Sequence, residues 1–251
     1  MEIRNILTKT AAVATIFAAA AVTMTLAASA QAAPAPQVVI VPGQTFGALP
    51  YQPLAQHLNS LGYQTTVLNL PGHDLRDEPK QIAATIERLR AEHRGASISL
   101  IGHSIGGLTA RWYLSELGGD SVIDKYIAIG TPQYGSPGAC GQPVGQDACP
   151  GTPYLAQLNA GVNARGTTQY YDIRSQREWV DGNLTGRQCR VTPVRGFTAL
   201  PDVGLEHIAE PVDPLVWGAI ADSLAGHCDG AIANDPAGSI TAQSSLYPGR
   251  R

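Results

Sequence analysis

The sequence predicts an α/β fold with a mostly parallel central sheet of about six strands and helices on both faces. Short apolar runs alternate with segments of helical periodicity, which is the order of elements in parallel sheets with right-handed crossovers. The strand-like runs are apolar throughout rather than alternating, as is typical where helices cover both faces. One of these runs passes directly into a helical pattern through Gly-His-Ser-Ile-Gly at residues 102–106.

The regular alternation occupies residues 37–129. Strands are predicted over 37–41, 64–70, 96–101 and 125–129, where β-branched and apolar residues cluster and Pro-Gly pairs close the first two. Helices are predicted over 51–61, 79–94 and 105–117, where apolar residues recur at helical spacing. Glycines after the first and third helices, and a proline in the first turn of the second, agree with these boundaries.

The later part of the chain is less regular. The segment 131–153 is rich in glycine and proline, and we interpret it as an ordered excursion at the edge of the sheet. Two further strands are predicted over 168–174 and 190–200, and a last helix over 213–225. The pattern then fades, so residues 229–251 are predicted to be a poorly ordered tail.

Residues 1–30 are predicted to be a secretory signal peptide. Two basic residues, Arg4 and Lys9, precede a long uncharged run that ends in the small-residue cleavage site Ala28-Ser29-Ala30, and Ala30-Gln31-Ala32 is an overlapping alternative. A membrane anchor is the rival interpretation, but the run is mostly alanine and ends in a cleavage site. We therefore expect a secreted protein whose folded domain occupies residues 31–228.

Four cysteines follow this segment, at positions 140, 149, 189 and 228. An even number in a secreted chain indicates two disulfides, and four cysteines allow three pairings. Cys140 and Cys149 would close a short loop rich in glycine and proline, which leaves Cys189 to pair with Cys228. A zinc site is the alternative, but the chain has no Cys-x-x-Cys pair, so we expect no metal and no other cofactor.

Ser104 stands at the centre of the pentapeptide, between a predicted strand and a predicted helix. Gly-x-Ser-x-Gly in this context is typical of a nucleophile elbow, a sharp turn that exposes a serine hydroxyl at the carboxyl end of a strand. The alternative is a tight turn with an idle serine, because so short a motif also occurs by chance. The flanking strand and helix favour the nucleophile.

A nucleophilic serine needs hydrogen-bond donors for the oxyanion that its attack creates. The backbone N–H of Ile105, at the start of the helix, is the first candidate donor. The second should come from the loop after the first strand, which reads Pro-Gly-Gln-Thr-Phe-Gly over residues 42–47. We assign it to the backbone N–H of Gln44, and the alternative is that Pro42 and Gly43 merely end the strand.

The general base is expected to be a histidine late in the chain, because an acid and then a histidine follow the elbow in chain order. His207 lies between the last predicted strand and the last helix, where a loop can reach Ser104, whereas His227 lies beyond that helix. We therefore assign the base to His207. His103 should point away from its neighbour Ser104, and we expect it to pack under the turn.

These features resemble the small secreted bacterial lipases of the α/β-hydrolase fold. The matching stretches are VVIVPGQ, LIGHSIGGLTARWYL, YIAIGTPQYGS, YYDIRSQREWV and EHIAEPVDPLVWGAI, within residues 37–226. The resemblance implies a minimal α/β-hydrolase that lacks the usual first two strands, with residues 31–228 as its catalytic domain. It also implies a catalytic acid at the Ser-x-x-Asp position, where this chain has Glu178 instead of aspartate, with Asp181 as the rival.

The function that this resemblance implies is the hydrolysis of carboxylic esters of lipids through Ser104, Glu178 and His207. We expect the protein to be a monomer that contacts a lipid interface transiently. A formal net charge of −3 and the lack of a basic patch argue against a nucleic-acid partner. The alternatives are polyester depolymerisation, phospholipid deacylation or thioester cleavage on the same triad, or a binding protein with a dead site, since fold does not choose among them.

Overall fold

The strands and helices are taken from a computed structural model that describes residues 33–45, 47–175, 182–194 and 205–246. The predicted signal peptide lies outside these described residues. The described residues all belong to one compact unit. Within the described ranges, no helix has both the length and the apolar composition needed to span a bilayer.

The described residues contain seven strands and seven α-helices. The strands are β1 Gln37–Val41, β2 Gln64–Val67, β3 Ile98–His103, β4 Lys125–Ile129, β5 Gln169–Ser175, β6 Gly186–Val194 and β7 Ala231–Asp235. The helices are α1 Gln52–Ser60, α2 Glu78–Glu92, α3 Ile105–Glu116, α4 Pro153–Leu158, α5 Leu205–Ala209, α6 Pro214–Leu224 and α7 Ala242–Leu246. A 3₁₀ turn, Leu49–Tyr51, precedes α1, and another, Glu210–Val212, follows α5.

The seven strands form one sheet in the order β2-β1-β3-β4-β5-β6-β7. All neighbouring pairs from β2 to β6 are parallel, and only β7 runs antiparallel, beside β6. The register places Val41 beside Gly102, and Gly102 beside Ala128. The carboxyl ends of β1, β3 and β4 therefore meet at one edge of the sheet, where open α/β sheets carry their sites. The prediction of a mostly parallel sheet is confirmed.

Helices pack on both faces of this sheet, because successive strand residues point to opposite sides. In β1, Val39 and Val41 belong to the core cluster that contains Ile82 and Ile86 of α2. Val38 and Ile40 of the same strand belong to a second cluster, with residues of α1 and α6 that include Leu54 and Val216. Each apolar strand thus supplies two separate layers of the core, which explains why the strands lack a polar alternation.

The structure differs from the sequence prediction most clearly after residue 228. We predicted a poorly ordered tail there and about six strands in all, yet Ala231–Asp235 form a seventh strand and Ala242–Leu246 a short helix. The reason is that β7 is an edge strand whose five residues all pair through the backbone with β6, while its side chains are largely exposed. Backbone pairing leaves no hydrophobic pattern for a sequence to display.

Both predicted disulfides are present in the structure. Cys140 pairs with Cys149, with a Cα–Cα distance of 4.7 Å, and closes the excursion after β4 into a tight loop. Cys189 of β6 pairs with Cys228, with a Cα–Cα distance of 5.7 Å, and ties the sheet to the segment after α6. The segment 131–153 is therefore an ordered excursion, as predicted, and it contains two short 3₁₀ turns.

Candidate active site

Ser104 lies at the turn between β3 and α3 in a backbone conformation that few residues adopt. Its φ and ψ angles are 55° and −132°, a positive-φ region that is costly for any residue with a Cβ. Its N–H donates to the carbonyl oxygen of Ile129 at 2.9 Å, and its own carbonyl accepts from the N–H of Gly107 at 3.0 Å. The end of β4 and the first turn of α3 thus hold the strained residue, whose side chain stays partly exposed.

The two glycines that flank this turn are required by close contacts of the backbone. A Cβ on Gly106 would overlap the carbonyl oxygens of Pro42 and Val41, because the start of α3 packs directly on the end of β1. A Cβ on Gly102 would collide with the backbone of Gly107. The Gly-x-Ser-x-Gly pattern is thus explained by packing, and it leaves the serine as the one side chain of the turn that points outward.

His207 is the histidine that the structure brings to Ser104. Its Nε2 lies 2.9 Å from Ser104 Oγ, although the two residues are 103 positions apart. The His207 side chain is about one third exposed, and α5 carries it over the turn. An imidazole nitrogen at hydrogen-bond distance from a serine hydroxyl can take up the hydroxyl proton as the oxygen attacks a carbonyl. His227 instead lies beyond α6 and is exposed.

His103 lies under the turn, as predicted, but it also connects three parts of the site. Its Nε2–H donates to the backbone carbonyl oxygen of His207 at 3.0 Å. Its Nδ1 lies 2.6 Å from the Tyr51 hydroxyl, which in turn accepts from the N–H of Gly43 at 2.7 Å. In a neutral imidazole with the proton on Nε2, Nδ1 accepts from the Tyr51 O–H. Each donor in this series of hydrogen bonds therefore faces an acceptor.

Tyr51 remains a hydroxyl donor in this environment. Burial raises the pKa of Tyr51 well above its ordinary value, and the charge of Glu210 acts in the same direction, while the N–H of Gly43 lowers it in part. Desolvation disfavours the phenolate, so the neutral form persists far into the alkaline range.

Glu210 is a residue of the site that the sequence analysis missed. Its carboxylate oxygen Oε2 lies 3.4 Å from His207 Nδ1 and 3.6 Å from His103 Nε2. The side chain is only 1% exposed. Its spacing from His207 could have predicted its position, because a residue three positions later lies on the same face of a helical turn.

The loop after β1 lies directly beside the serine. A Cβ on Gly43 would stand 3.2 Å from Ser104 Cβ, so this backbone passes within van der Waals distance of the turn. Gln44 follows, and its side chain donates to the carbonyl oxygen of Val144 at 3.2 Å. The next residue, Thr45, donates its N–H to the Pro71 carbonyl at 2.8 Å. Of the two predicted donor positions, Ile105 directly follows Ser104 in the chain, and Gln44 directly follows Gly43, the residue that lies beside it.

The loop that Cys140 and Cys149 close packs on this same region. Besides the contact between Gln44 and Val144, the N–H of Gly145 donates to the carbonyl oxygen of His73 at 3.0 Å. Gly145 also lies against the side chain of Ile105. The excursion after β4 is therefore a wall of the site. The predicted acid, Glu178, and its rival Asp181 both lie outside the described residues.

Three side chains of the site have the spacing of a metal-binding group. One ligand atom each from His103, His207 and Glu210 lie within 4.8 Å of one another. Both ring nitrogens of His103 already have hydrogen-bond partners in the protein, and His207 Nε2 has Ser104. A cation here would have to displace these contacts, so the arrangement suits proton transfer between serine and histidine better than metal coordination.

Comparisons with known proteins agree with this architecture. Residues 36–144 match the family described as the alpha/beta hydrolase fold. A triacylglycerol lipase of Pseudarthrobacter phenanthrenivorans is 34% identical over 83 residues, which are 32% of this chain and 25% of that protein. A triacylglycerol lipase of Burkholderia plantarii is also 34% identical over 83 residues, 32% of this chain and 23% of the relative. The matched region thus spans about a quarter of either relative.

A solved structure extends the likeness to most of the chain. The crystal structure of Aspergillus fumigatus lipase B superimposes with a TM-score of 0.56 and covers 81% of this chain and 54% of that one. The sequence identity in this superposition is 19%, so the likeness concerns the fold.

Proposed function

We propose that this chain, which has the α/β-hydrolase fold, is a secreted serine hydrolase that cleaves carboxylic esters of lipids. The observation that carries the proposal is the 2.9 Å distance between Ser104 Oγ and His207 Nε2, at a strained turn between a strand and a helix. The likeness of an 83-residue region to two triacylglycerol lipases supports an ester as the substrate.

In the proposed mechanism, Ser104 attacks the ester carbonyl while His207 takes its proton. The backbone N–H groups of Gln44 and Ile105 stabilise the oxyanion, and His207 then protonates the leaving alcohol. Water, activated by the same imidazole, hydrolyses the acyl-enzyme. This chemistry needs a nucleophile, a base and donors, and no metal or organic cofactor takes part.

A carboxylate must hold the imidazole in the right tautomer and stabilise its charged form. We assign that role to Glu178, because it occupies the position of the acid in the lipases that this sequence resembles. Glutamate also serves as the triad acid in other hydrolases of this fold. Asp181 is the alternative, three residues further along the chain.

An apolar rim beside the histidine supports a lipid rather than a small polar ester. Ile208, next to His207, is 49% exposed, and Val212 is 40% exposed. Leu49 is 82% exposed, and the 3₁₀ turns that carry Leu49 and Val212 pack against each other. Exposed large apolar side chains close to a candidate site favour an acyl chain or transient contact with a lipid interface. The protein would act as a monomer.

Two disulfides support secretion, because such bonds persist in oxidising compartments. The signal peptide over residues 1–30 would deliver the chain there, with cleavage after Ala30.

The test is a substrate panel on the secreted protein and on its Ser104→Ala variant. We expect hydrolysis of p-nitrophenyl esters that improves with acyl chain length, hydrolysis of emulsified triglyceride, and covalent labelling of Ser104 by a fluorophosphonate. The variant should lose roughly a thousandfold or more in turnover while staying folded. A wild type that is neither labelled nor active would contradict the proposal. Activity confined to phospholipids, thioesters or polyesters would change the assigned substrate class and leave the proposed mechanism unchanged.

A further inference from the structure

The region behind His207 holds a buried carboxylate that the proposed mechanism does not use. Glu210 is 1% exposed, and its Oε2 lies 3.4 Å from His207 Nδ1, the ring nitrogen opposite the one that faces Ser104. The Ser104 oxygen, the imidazole and this carboxylate thus follow one another across the site. A buried carboxylate is costly unless charged or hydrogen-bonding groups surround it, and the imidazoles of His207 and His103 are such groups.

The chain around Glu210 is well fixed. Glu210 begins a 3₁₀ turn with Pro211, whose carbonyl oxygen accepts a hydrogen bond from Trp217 Nε1 at 2.9 Å. Asp213, directly after that turn, caps α6 by accepting from the N–H of Leu215 at 2.8 Å. These contacts limit the movement of the backbone that carries the carboxylate, as a positioning group requires.

His103 fixes the other side of the same arrangement. Its Nε2–H donates to the backbone carbonyl of His207 at 3.0 Å. The end of β3 thus holds the backbone of His207 in place. Three titratable side chains from three elements face the carboxylate: His207, His103 at the end of β3, and Tyr51, whose pKa the charge of Glu210 helps to raise. Of these three, His207 is the one that must gain a proton during acyl transfer.

We propose that Glu210 is a positioning residue, a second carboxylate that orients the His207 imidazole and stabilises its protonated form. The inference rests on the proposed function, since it assigns Glu210 a role in the proton transfer between Ser104 and His207. A negative charge within about 4–6 Å of an imidazole favours imidazolium. Glu210 therefore makes His207 a stronger base, while Glu178 remains the assigned triad acid.

The test is the Glu210→Gln variant, which keeps the shape of the side chain and removes its charge. We expect kcat on a p-nitrophenyl ester to fall roughly 10- to 100-fold with little change in KM, because the lost contact acts in the transition state. The ascending limb of the profile of kcat/KM against pH should move to lower pH, because the neutral imidazole then persists to more acidic pH. A merely structural role would not move that limb.

Two further variants complete the design. Glu206→Gln is the matched control, because Glu206 is also buried, lies on α5 and points about 100° away from its neighbour His207. It should leave the ascending limb in place. Glu210→Asp retains the charge on a shorter side chain. Its ascending limb should lie most of the way back to the wild-type position, and its kcat should lie between those of the wild type and Glu210→Gln.

The outcomes separate this inference from the proposed function. A wild type without activity or fluorophosphonate labelling would overturn both. An active wild type, with a Glu210→Gln variant whose kcat and ascending limb are unchanged, would overturn only the role of Glu210. If the glutamine variant fails to fold, Glu210→Asp decides through the same pH profile. An ascending limb that moves partway to lower pH, because the shorter carboxylate lies further from the imidazole, would support a positioning role. An unmoved limb would contradict it, whatever the change in kcat.

Discussion

The hydroxyl of Tyr51 and the Nδ1 of His103 lie 2.6 Å apart, and this contact joins the loop after β1 to the turn that carries Ser104. The same hydroxyl accepts from the N–H of Gly43 at 2.7 Å, and the other side of the His103 ring donates to the backbone of His207. One series of hydrogen bonds therefore connects the loop after β1, the turn that carries Ser104 and the segment that carries His207.

Removal of this hydroxyl by Tyr51→Phe should weaken both stability and catalysis. The Gly43 N–H and His103 Nδ1 would lose their partner inside the protein, which costs about 1–3 kcal/mol of unfolding free energy. The loop after β1 carries one of the proposed oxyanion donors, so its loosening should lower kcat roughly 10- to 100-fold. Denaturant unfolding and ester hydrolysis measure the two effects. Tyr63→Phe, at a partly exposed tyrosine before β2, is the control and should stay within about 0.5 kcal/mol of the wild type.

The buried tyrosines predict a loss of stability at alkaline pH. Burial raises the pKa of Tyr113 to about 12, and it also raises those of Tyr51 and Tyr126. Because the folded-state pKa lies above the ordinary value of about 10, this stabilisation is complete below pH ~10 and is lost as pH rises toward the folded value. The free energy of unfolding should therefore fall between pH ~9 and ~12.

Denaturant unfolding at a series of pH values measures this slope. Tyr113→Phe should make it shallower, because one titrating group is removed. An unfolding free energy that stays constant across the range would contradict the expected linkage.

The triad acid is tested by a pair of variants, Glu178→Gln and Asp181→Asn. Glu178→Gln should lower kcat by several orders of magnitude, on the order of 10⁴-fold, because the imidazole loses the group that holds its tautomer. Asp181→Asn should have a mild effect. Each variant is checked for folding by circular dichroism before its kinetics are measured. Loss of turnover in Asp181→Asn alone would transfer the role to Asp181 and leave Ser104 and His207 in place.

The two disulfides should contribute unequally to stability. Cys189–Cys228 closes a separation of 39 residues and Cys140–Cys149 a separation of 9. The loop-entropy relation then gives about 4 kcal/mol for the first and about 2.5 kcal/mol for the second. Denaturant unfolding of the two double-alanine variants measures the difference. Peptide mapping without reduction checks the pairing itself, and a Cys149–Cys189 cross-peptide would refute it.

Chelation should leave the ester hydrolysis of the purified protein unchanged. The proposed mechanism needs only a serine, a histidine and backbone donors, and the imidazoles of His103 and His207 are engaged in hydrogen bonds. The measurement is the rate on a p-nitrophenyl ester before and after incubation with EDTA. Activity that disappears with EDTA and returns with calcium would show that a metal is required.

Much of the architecture followed from local pattern, for reasons that the structure makes clear. The strands β1, β3 and β4 are buried on both faces, and their largely apolar runs predicted them. Two strand ends differ from the prediction: the strand predicted over 64–70 ends at Val67, and β6 begins at Gly186 rather than at residue 190. The short helix α4 after the disulfide loop was not predicted, because six residues carry too little periodicity.

Local pattern and chain order were enough to predict the parallel sheet, the turn at Ser104, the position of His207 beside that turn and the pairing of the cysteines. Each of these depends on residues close together in the chain, or on chain order, which constrains topology strongly. Packing brings β7 to the sheet, and it places His103 and Glu210 beside His207, with Tyr51 on the other side of His103. Glu210 and His103 are more than 100 residues apart, and they meet only because α5 folds back over the end of β3. Burial then turns an ordinary glutamate into a carboxylate held against an imidazole, and burial is a property of packing that no local pattern contains.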